Sequence, residues 1–529
     1  MLTIQNLSYT HPNKDLLFSN INLTVNHHDK IALIGNNGAG KSTLLKIIAK
    51  ELQPSNGQIS LNAEPYYIPQ IFGQFNHLRI AQALRIEGKL NALKEILNGN
   101  TGEENFSLLN DDWTIEDRCN EALNYWRLSD LDLSQKMGTL SGGQKTKVFL
   151  TGISIHQPEL VLLDEPSNHL DIPGRQLLYD FIQSAKTTLM IVSHDRKLLN
   201  LLDIVCELNK NGIKVYGGNY DFYREQKQIE TNALNQDIQS KEKALRKAKE
   251  KERETLERQQ KSDSRGKAKQ EKAGVARIMM NTLRNNAENS TAKLKSVHAE
   301  KTGSIRQELQ DLRSSLSGTD QMKFGFDASK LHKGKNLFIA DHINFAYGNE
   351  KYLWHENLNF QIVSGERIAI KGKNGSGKTT LIQIILGNLR PQTGTVFIAA
   401  NKSVYIDQDY SLIHNQLKVY EQAQQFNISA LQEHEIKIRL NRFLFTKADW
   451  DKPCSVLSGG ERMRLMLCCL NIGSQSPDII VLDEPTNNLD IQNIEILTNA
   501  VNDYQGTLLV ISHDATFLEQ INIERIIEL

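Results

Sequence analysis

Cysteine is scarce and scattered in this chain, and its scarcity excludes several chemistries at once. The five cysteines, Cys119, Cys206, Cys454, Cys468 and Cys469, form no CxxC pair. That argues against a disulfide framework, a zinc site and an iron–sulfur cluster, and for a reducing, cytosolic compartment. Long apolar runs are missing too: runs such as 160–163 fall far short of the ~18 residues of a bilayer-spanning helix. The opening MLTIQNLSYTHPNK has no basic segment followed by an apolar one, so neither a signal peptide nor a membrane helix is expected. Charge of one sign is not in excess, since 62 Lys and Arg balance 62 Asp and Glu, and a nucleic-acid partner would need locally segregated charge. With 39% hydrophobic and 23% charged residues among 529, the composition is that of a folded chain of roughly two to four domains.

The second half restates the first in the same order. GNNGAGKST at 35–43 returns as GKNGSGKTT at 372–380, LSGGQ at 140–144 as LSGGE at 457–461, and LVLLDEPSNHLD at 160–171 as IIVLDEPTNNLD at 479–490. The closing IVSHD and VISHD, which hold His194 and His513, match as well. Two copies of one nucleotide-binding domain follow. Equivalent residues lie 338 apart at Gln70 and Gln408 but 317 apart at Ser141 and Ser458, so the first copy carries about 21 extra residues, around 91–117. This stretch reads as a surface insertion folded as a short helical hairpin. The expected domains are 1–222, with the arm-like insertion at about 85–120, a charged helical linker at 223–336, and 337–529.

In each copy an apolar strand (KIALI, RIAIK) runs into a glycine-rich turn and then a helix, the context a phosphate loop requires. Gly35, Gly38 and Gly40 let backbone N–H groups converge on phosphate oxygens, Lys41 contacts the outer phosphates and Ser42 is positioned for magnesium. Gly372, Gly375, Gly377, Lys378 and Thr379 take the same parts in the second copy. The runs LVLLDE and IIVLDE read as buried parallel strands that deliver Asp164 and Asp483 to the metal side. Glu165 and Glu484, one residue on, would polarise the attacking water. Gln70 and Gln408 can sense magnesium and that water, and His194 and His513 can contact the terminal phosphate. The SGGQ and SGGE segments serve as anion-binding helix N-termini, which need a phosphate brought to them.

Between the copies the composition changes to Lys, Glu, Arg, Gln and Ala. Leu234, Ile238, Leu245 and Ala248 form one apolar seam and Ile305, Leu309, Leu312 and Leu316 another, as two long antiparallel helices would pair them. From Lys241 to Lys272 there are 13 Lys and Arg against 7 Asp and Glu. Arg265, Lys267, Lys269, Lys272, Arg277 and Arg284 gather towards the turn with few acids, and are the candidates for RNA contact.

The order phosphate loop, LSGGQ, acidic strand resembles that of ATP-binding cassette (ABC) ATPases, in which two cassettes pair head to tail and sandwich each nucleotide. The fold implied is α/β: two P-loop ABC ATPase cassettes joined by a long α-helical antiparallel coiled-coil linker. The resemblance implies one composite site from Lys41, Ser42, Gln70, Asp164, Glu165 and His194 with Ser458, Gly459 and Gly460, and another from Lys378, Thr379, Gln408, Asp483, Glu484 and His513 with Ser141, Gly142 and Gly143. It extends the ATP contacts to Asn36, Asn37, Ala39, Thr43 and Gln144, to Lys373, Asn374, Ser376, Thr380 and Glu461, and to Tyr9 and Tyr347 as the aromatics stacking on adenine. Metal ligation falls to Ser42, Gln70, Asp164, Thr379, Gln408 and Asp483, catalysis to Glu165, Glu484, His194 and His513, and the cofactors are ATP and Mg2+. Neither site lacks its glutamate or histidine, so both are expected to hydrolyse ATP.

Tandem cassettes with a charged helical linker, entered through VYGGNYDFYREQK at 215–227, resemble the ABC-F family of translation factors. Ser167, Lys145 and Lys147 are small departures from its usual motifs. The resemblance implies a cytoplasmic, monomeric ATPase that binds the exit site of the 70S ribosome in its ATP-closed state, its linker reaching rRNA and peptidyl-tRNA near the peptidyl-transferase centre. It leaves open a housekeeping role or antibiotic resistance by ribosome protection, with the housekeeping role preferred. The insertion resembles that family's ribosome-contacting arm. The competing classes are an ABC transporter ATPase, which would need a membrane subunit, and a chromosome or DNA-repair ATPase, whose much longer coil splits one cassette. The missing cysteine clusters speak against the iron–sulfur ABC ATPase of ribosome recycling. The last residues, IERIIEL, follow His513 closely, and no C-terminal nucleic-acid-binding extension is expected.

Overall fold

The computed structural model describes residues 1–12, 14–272, 277–315, 334–348, 351–373, 375–399, 402–473, 477–487 and 489–529; between 266 and 295 it describes the side chains at 279, 289, 292 and 293. It divides into one unit of Met1–Asp221 with Met322–Leu529, and a second of Phe222–Gln321.

Within the first unit the apolar runs become buried parallel strands. Lys30–Ile34, Leu160–Asp164 and Thr188–Val192 are five residues each and almost wholly buried, as strands covered on both faces must be. They lie in a six-stranded sheet of order Tyr66–Ile68, Leu160–Asp164, Thr188–Val192, Lys30–Ile34, Ile204–Asn209, Gly212–Tyr216, the last pair antiparallel. The second cassette repeats this with five parallel strands, Ser403–Ile406, Ile479–Asp483, Thr507–Ile511, Arg367–Lys371 and Arg525–Glu528. The phosphate-loop strand therefore sits one strand away from the acidic strand in both sheets. Their carboxyl ends open on one crevice, where ligands of open α/β sheets bind.

A three-stranded antiparallel sheet flanks each parallel one: Leu16–Val25, Leu2–Thr10 and Asn56–Leu61 in the first cassette, Leu358–Val363, Asn336–Asn344 and Thr393–Ile398 in the second. Phe18, Leu2, Ile4, Leu44, Ile48, Leu162 and Met190 close one core between the two layers and the phosphate-loop helix. Phe338, Trp354, Ile362, Leu381 and Val481 close its counterpart. The stretch read as a hairpin is two helices, Glu87–Leu97 and Glu103–Leu109, followed by Ile115–Tyr125. Asp112 clamps them, 2.8 Å from both Lys89 and Arg118.

The second unit is carried by helices Tyr220–Lys272 and Arg277–Ser315. Ile238 and Leu309 are buried, and Leu234, Leu245, Ala248, Ile305 and Leu312 are half-buried among exposed neighbours. These positions step by three and four along each helix, the spacing of a seam facing a partner. Lys241 pairs with Glu308 and Glu242 with Arg313, so the second helix returns alongside the first. Leu316 lies outside the described residues.

One close approach recurs in both cassettes. Gly57 has φ 93°, and a Cβ there would lie 2.5 Å from the Asn6 carbonyl oxygen; Gly394 has φ 75°, with the Asp341 oxygen 2.3 Å from such a Cβ. Neither contact involves a flexible side-chain end, so the backbone itself would have to move. Gly57→Ala is expected to cost roughly 1–3 kcal/mol through strain at a left-handed position, read as a lower urea midpoint with unchanged slope.

Candidate functional site

Each site begins at a helix N-terminus. Gly40 (φ 97°) caps Lys41–Ile48 and Gly377 (φ 86°) caps Lys378–Ile385, a left-handed turn that glycine adopts without penalty. The first-turn N–H groups therefore face the loop. Lys41 Nζ donates to the Gly35 and Asn36 carbonyls at 2.7 and 3.2 Å, and Lys378 Nζ to those of Gly372 and Lys373 at 2.9 and 3.0 Å. Burial lowers the pKa of both lysines, and the carboxylates around them oppose that shift.

The acidic strands end against these loops. Asp164 is buried and hydrogen-bonded by the Ser42 hydroxyl, and Asp483 by that of Thr379; burial raises both aspartate pKa values. Tyr67 and Tyr405 donate from the neighbouring strand to Asp164 Oδ2 and Asp483 Oδ2 at 3.5 and 2.8 Å. Asp164 Oδ1 is buried without a hydrogen-bond partner. A hydroxyl, a carboxylate oxygen and the amide of Gln70, all hard oxygens around an unsatisfied acceptor, fit a magnesium ion that keeps waters and phosphates as its remaining ligands.

One residue further, both glutamates are held in the left-handed region, Glu165 at φ 54° and Glu484 at φ 48°. Their N–H groups bond to Val192 and Ile511 across the sheet at 2.8 Å. Each is also tied to the histidine just past the end of the next strand: His194 Nε2 is 3.2 Å from Glu165 Oε1, and His513 Nε2 is 3.3 Å from Glu484 Oε1. The histidine N–H groups donate to the other carboxylate oxygens at 3.3 Å. Burial dominates the electrostatics. It pushes Glu484 up to about 7 and raises Glu165 more strongly, while His513 falls to about 4 and His194 falls well below its usual value. Such pairs of displaced acids and bases are what proton-handling sites require.

Two cavities join the cassettes. The larger, about 600 Å3, is lined by Gly375, Gly377, Lys378, Thr379, Thr380, Gln408, Asp483, Glu484 and His513, with Tyr347 on its wall and Ser141, Gly142 and Gly143 opposite. The smaller, about 400 Å3, is lined by Asn37, Gly38, Gly40, Lys41, Ser42, Thr43, Gln70, Asp164, Glu165 and His194, with Ser458 opposite. Both signature segments are capped helix N-termini. Ser141 accepts from the Gln144 N–H and Ser458 from that of Glu461, while Gln144 and Glu461 accept from the serine N–H groups at 2.9 and 2.8 Å. Tyr9 lies on Leu2–Thr10 beside Phe18, and the wall of the smaller cavity is made by His11 and Leu17. Gly35, Asn36, Ala39, Gly372, Lys373 and Ser376 belong to the loops without lining the cavities, and Gly459 and Gly460 lie behind Ser458. Asn374 lies outside the described residues. Of the basic linker residues, Arg265 is exposed; the side chains of Lys267, Lys269, Lys272, Arg277 and Arg284 lie outside the description.

Sequence reasoning missed several residues that the pairing brings in. Asp490 Oδ2 accepts from the N–H of Asn37 at 2.8 Å, across the two cassettes. His169, Leu170, Arg175 and Asn487 line the larger cavity. The repeated NHLD and NNLD segments that end in Asp171 and Asp490 were visible as a repeat, but nothing local says that they face the other cassette. Tyr67 and Tyr405 carried a fainter signal, an aromatic at the same place in both strands.

The family model for the ABC transporter matches residues 18–168 and 355–487. A putative ATP-binding protein, YdiF of Bacillus subtilis (strain 168), is 33% identical over 97% of this chain and 78% of its own length. The ATP-binding protein Uup of Escherichia coli (strain K12) is 28% identical over 95% of this chain and 76% of its own. The archaeal ribosome recycling factor aABCE1, solved in complex with the ribosomal stalk protein aP1, superposes with a TM-score of 0.59 at 18% identity over 99% of this chain and 87% of its own. That likeness is one of fold. No helix among the described residues is long and apolar enough to cross a membrane.

The buried carboxyls give the nucleotide-free protein a defined pH response. Between about 4.5 and about 7 folded Glu484 keeps a proton that the unfolded chain has released, so its contribution to stability falls as pH rises through that window. His513, held near 4 against an ordinary 6.5, acts in the other direction, and its contribution is lost as pH falls through that range. Glu165→Gln with Glu484→Gln should therefore raise the melting temperature near pH 8 by roughly 2–4 °C for each kcal/mol recovered, and by less near pH 5. Calorimetry without nucleotide or divalent cation checks this; equal shifts at both pH values would count against it.

Proposed function

This chain belongs to the ABC transporter family as an ATPase of the ABC-F type, and from that premise we propose that it is a cytoplasmic translation factor, which engages the 70S ribosome when ATP has closed its two cassettes and acts near the peptidyl-transferase centre. The observation that carries the proposal is the pair of cavities in which a capped helix N-terminus of one cassette faces the phosphate loop of the other. Two such sites make closure depend on nucleotide, because the signature N–H groups gain a partner only when phosphates arrive. The basic stretch between the cassettes supports an RNA partner, since 13 Lys and Arg over 241–272 would displace counterions from a phosphate backbone. Tandem ATP-binding relatives and a fold shared with a ribosome recycling factor agree with this reading.

In this proposal Lys41 and Lys378 hold the outer phosphates, and Ser141 to Gly143 and Ser458 to Gly460 complete each γ-phosphate shell from the opposite cassette. Ser42, Gln70 and Asp164, and in the other site Thr379, Gln408 and Asp483, would hold a magnesium ion, which would supply charge neutralisation to the phosphates. Glu165 and Glu484 orient and polarise the attacking water, and His194 and His513 hold those carboxylates in place while contacting the γ-phosphate. Tyr347 stacks on one adenine, and the Tyr9 and His11 pair serves the other. Hydrolysis removes the bridging phosphate, the cassettes part and the ribosome is released. The linker tip reaches peptidyl-tRNA, in a housekeeping role. No stable membrane subunit is needed.

The double variant Glu165→Gln, Glu484→Gln should bind ATP, turn over slowly and co-sediment with 70S ribosomes through a sucrose cushion only when ATP is present. Recovery with membranes and not with ribosomes would replace this reading by that of a transporter ATPase. Neutralising Arg265, Lys267, Lys269 and Lys272 should weaken ribosome binding and reduce the slope of log affinity against log salt by up to about four, with both cassettes still folded. An unchanged slope would make the linker a solvated spacer.

A further inference from the structure

The two ATP sites are not electrostatic copies of one another. Arg175 stands one turn into helix Ile172–Ser184 of the first cassette, and its side chain lies on the wall of the second site, with Lys378, Glu484 and His513. Its Nε donates to the Leu170 carbonyl at 3.2 Å, which fixes the guanidinium, and Nη1 donates across the cassettes to the His513 carbonyl at 3.4 Å. Asp195 Oδ2 lies 3.9 Å away and itself accepts from the Tyr179 hydroxyl at 2.5 Å. With 12% of its side chain exposed, the arginine is a desolvated charge directed at the other cassette's active residues, and after burial it is the largest influence on Glu484.

The repeat shows what the first site receives instead. Asp171 and Asp490 cap equivalent helices, so the position matching Arg175 in the second cassette is Ile494. That residue is 3% exposed and packs in its own cassette's core. The match to Arg196 is Ala515. Arg196 also crosses the interface, donating to Gln520 Oε1 at 3.1 Å and lying 3.6 Å from Glu495 Oε1. Both of these arginines come from the first cassette. Among the described residues, the second cassette brings Ser458 to the lining of the first cavity and Asp490 to the Asn37 N–H.

We propose that Arg175 is a trans-acting positioning residue for the second site: by gripping the His513 carbonyl it holds the His513–Glu484 pair in register and adds positive charge where the γ-phosphate leaves, so that the second site hydrolyses ATP faster than the first. His513 N–H donates to Glu484 Oε2 at 3.3 Å, so a pull on the His513 backbone is felt at the carboxylate directly. Positive charge already in place costs no reorganisation as the transition state spreads charge over the phosphoryl oxygens. The inference deepens the proposed function, since it rests on both sites being hydrolytic, but its test uses no glutamate variant.

Wild-type protein is mixed with [α-32P]8-azido-ATP and magnesium, illuminated and acid-quenched at intervals, and the ADP and ATP attached to tryptic peptides of each cassette are measured. Label on the second cassette should become ADP faster than label on the first. Arg175→Met should slow conversion on the second cassette about tenfold and on the first by no more than about twofold, with Arg175→Lys recovering part of the loss. Melting temperatures of both variants within a few degrees of wild type exclude misfolding. Loss of closure would slow both cassettes alike, because both sites span the interface, and that outcome overturns the proposal, as does equal conversion in the wild type. No conversion on either cassette would overturn the hydrolytic reading itself and the inference with it.

Discussion

The outer phosphates of a nucleotide need more N–H donors than one loop can offer, and in this fold the missing donors sit on another cassette. Ser141 and Ser458 begin capped helices whose N-termini carry partial positive charge; the first has no acid in its opening turn, and in the second Glu461 is turned back onto the Ser458 N–H. Such an end is incomplete until an anion meets it. The two halves of the repeat satisfy each other's phosphate loops, and the contacts around the cavities, Asp490 to Asn37, Arg175 to His513 and Arg196 to Gln520, are consequences of that pairing.

Within each half, burial does the electrostatic work. A glutamate in the left-handed region, a histidine just past the adjoining strand and a lysine folded over its own loop are packed where water is scarce. Acids are driven up and bases down, and each pair holds at close range groups whose charges are costly alone. The strain at Glu165 and Glu484 is stored where the parallel sheet supports it, through the bonds to Val192 and Ile511. The hydrophobic strands that read as buried in the sequence are the support that keeps those side chains in a costly arrangement.

The linker follows a different rule. Among the described residues its two helices bury little beyond a narrow seam around Ile238 and Leu309, and most of their charged side chains are exposed. A segment built this way holds its shape through the seam and a few crossing ion pairs, such as Lys241 with Glu308. Among the described residues Arg265 is exposed, where a partner of opposite charge could meet it.

Much of this protein was legible without coordinates. Phosphate loops, acidic strands, capped signature helices and the seam of the linker are short-range patterns, in which a few residues of the right type at fixed spacing dictate backbone geometry, and duplication makes chance agreement untenable. Both cassettes and the short helices of the insertion were read that way. What only the tertiary structure decided are the contacts that cross between the halves beyond the signature segments. Arg175 and His513 are 338 positions apart, Asn37 and Asp490 are 453, and no local spacing encodes either meeting. The same holds for the wall of the first site, where His11 lines the cavity while Tyr9 packs beside Phe18. A strand's alternation names two faces but not the neighbour each will meet. The asymmetry of the two sites was present in the letters, an arginine in one copy and an isoleucine in the other, and it acquired meaning only when folding turned one side chain outward across the interface and the other inward to its own core.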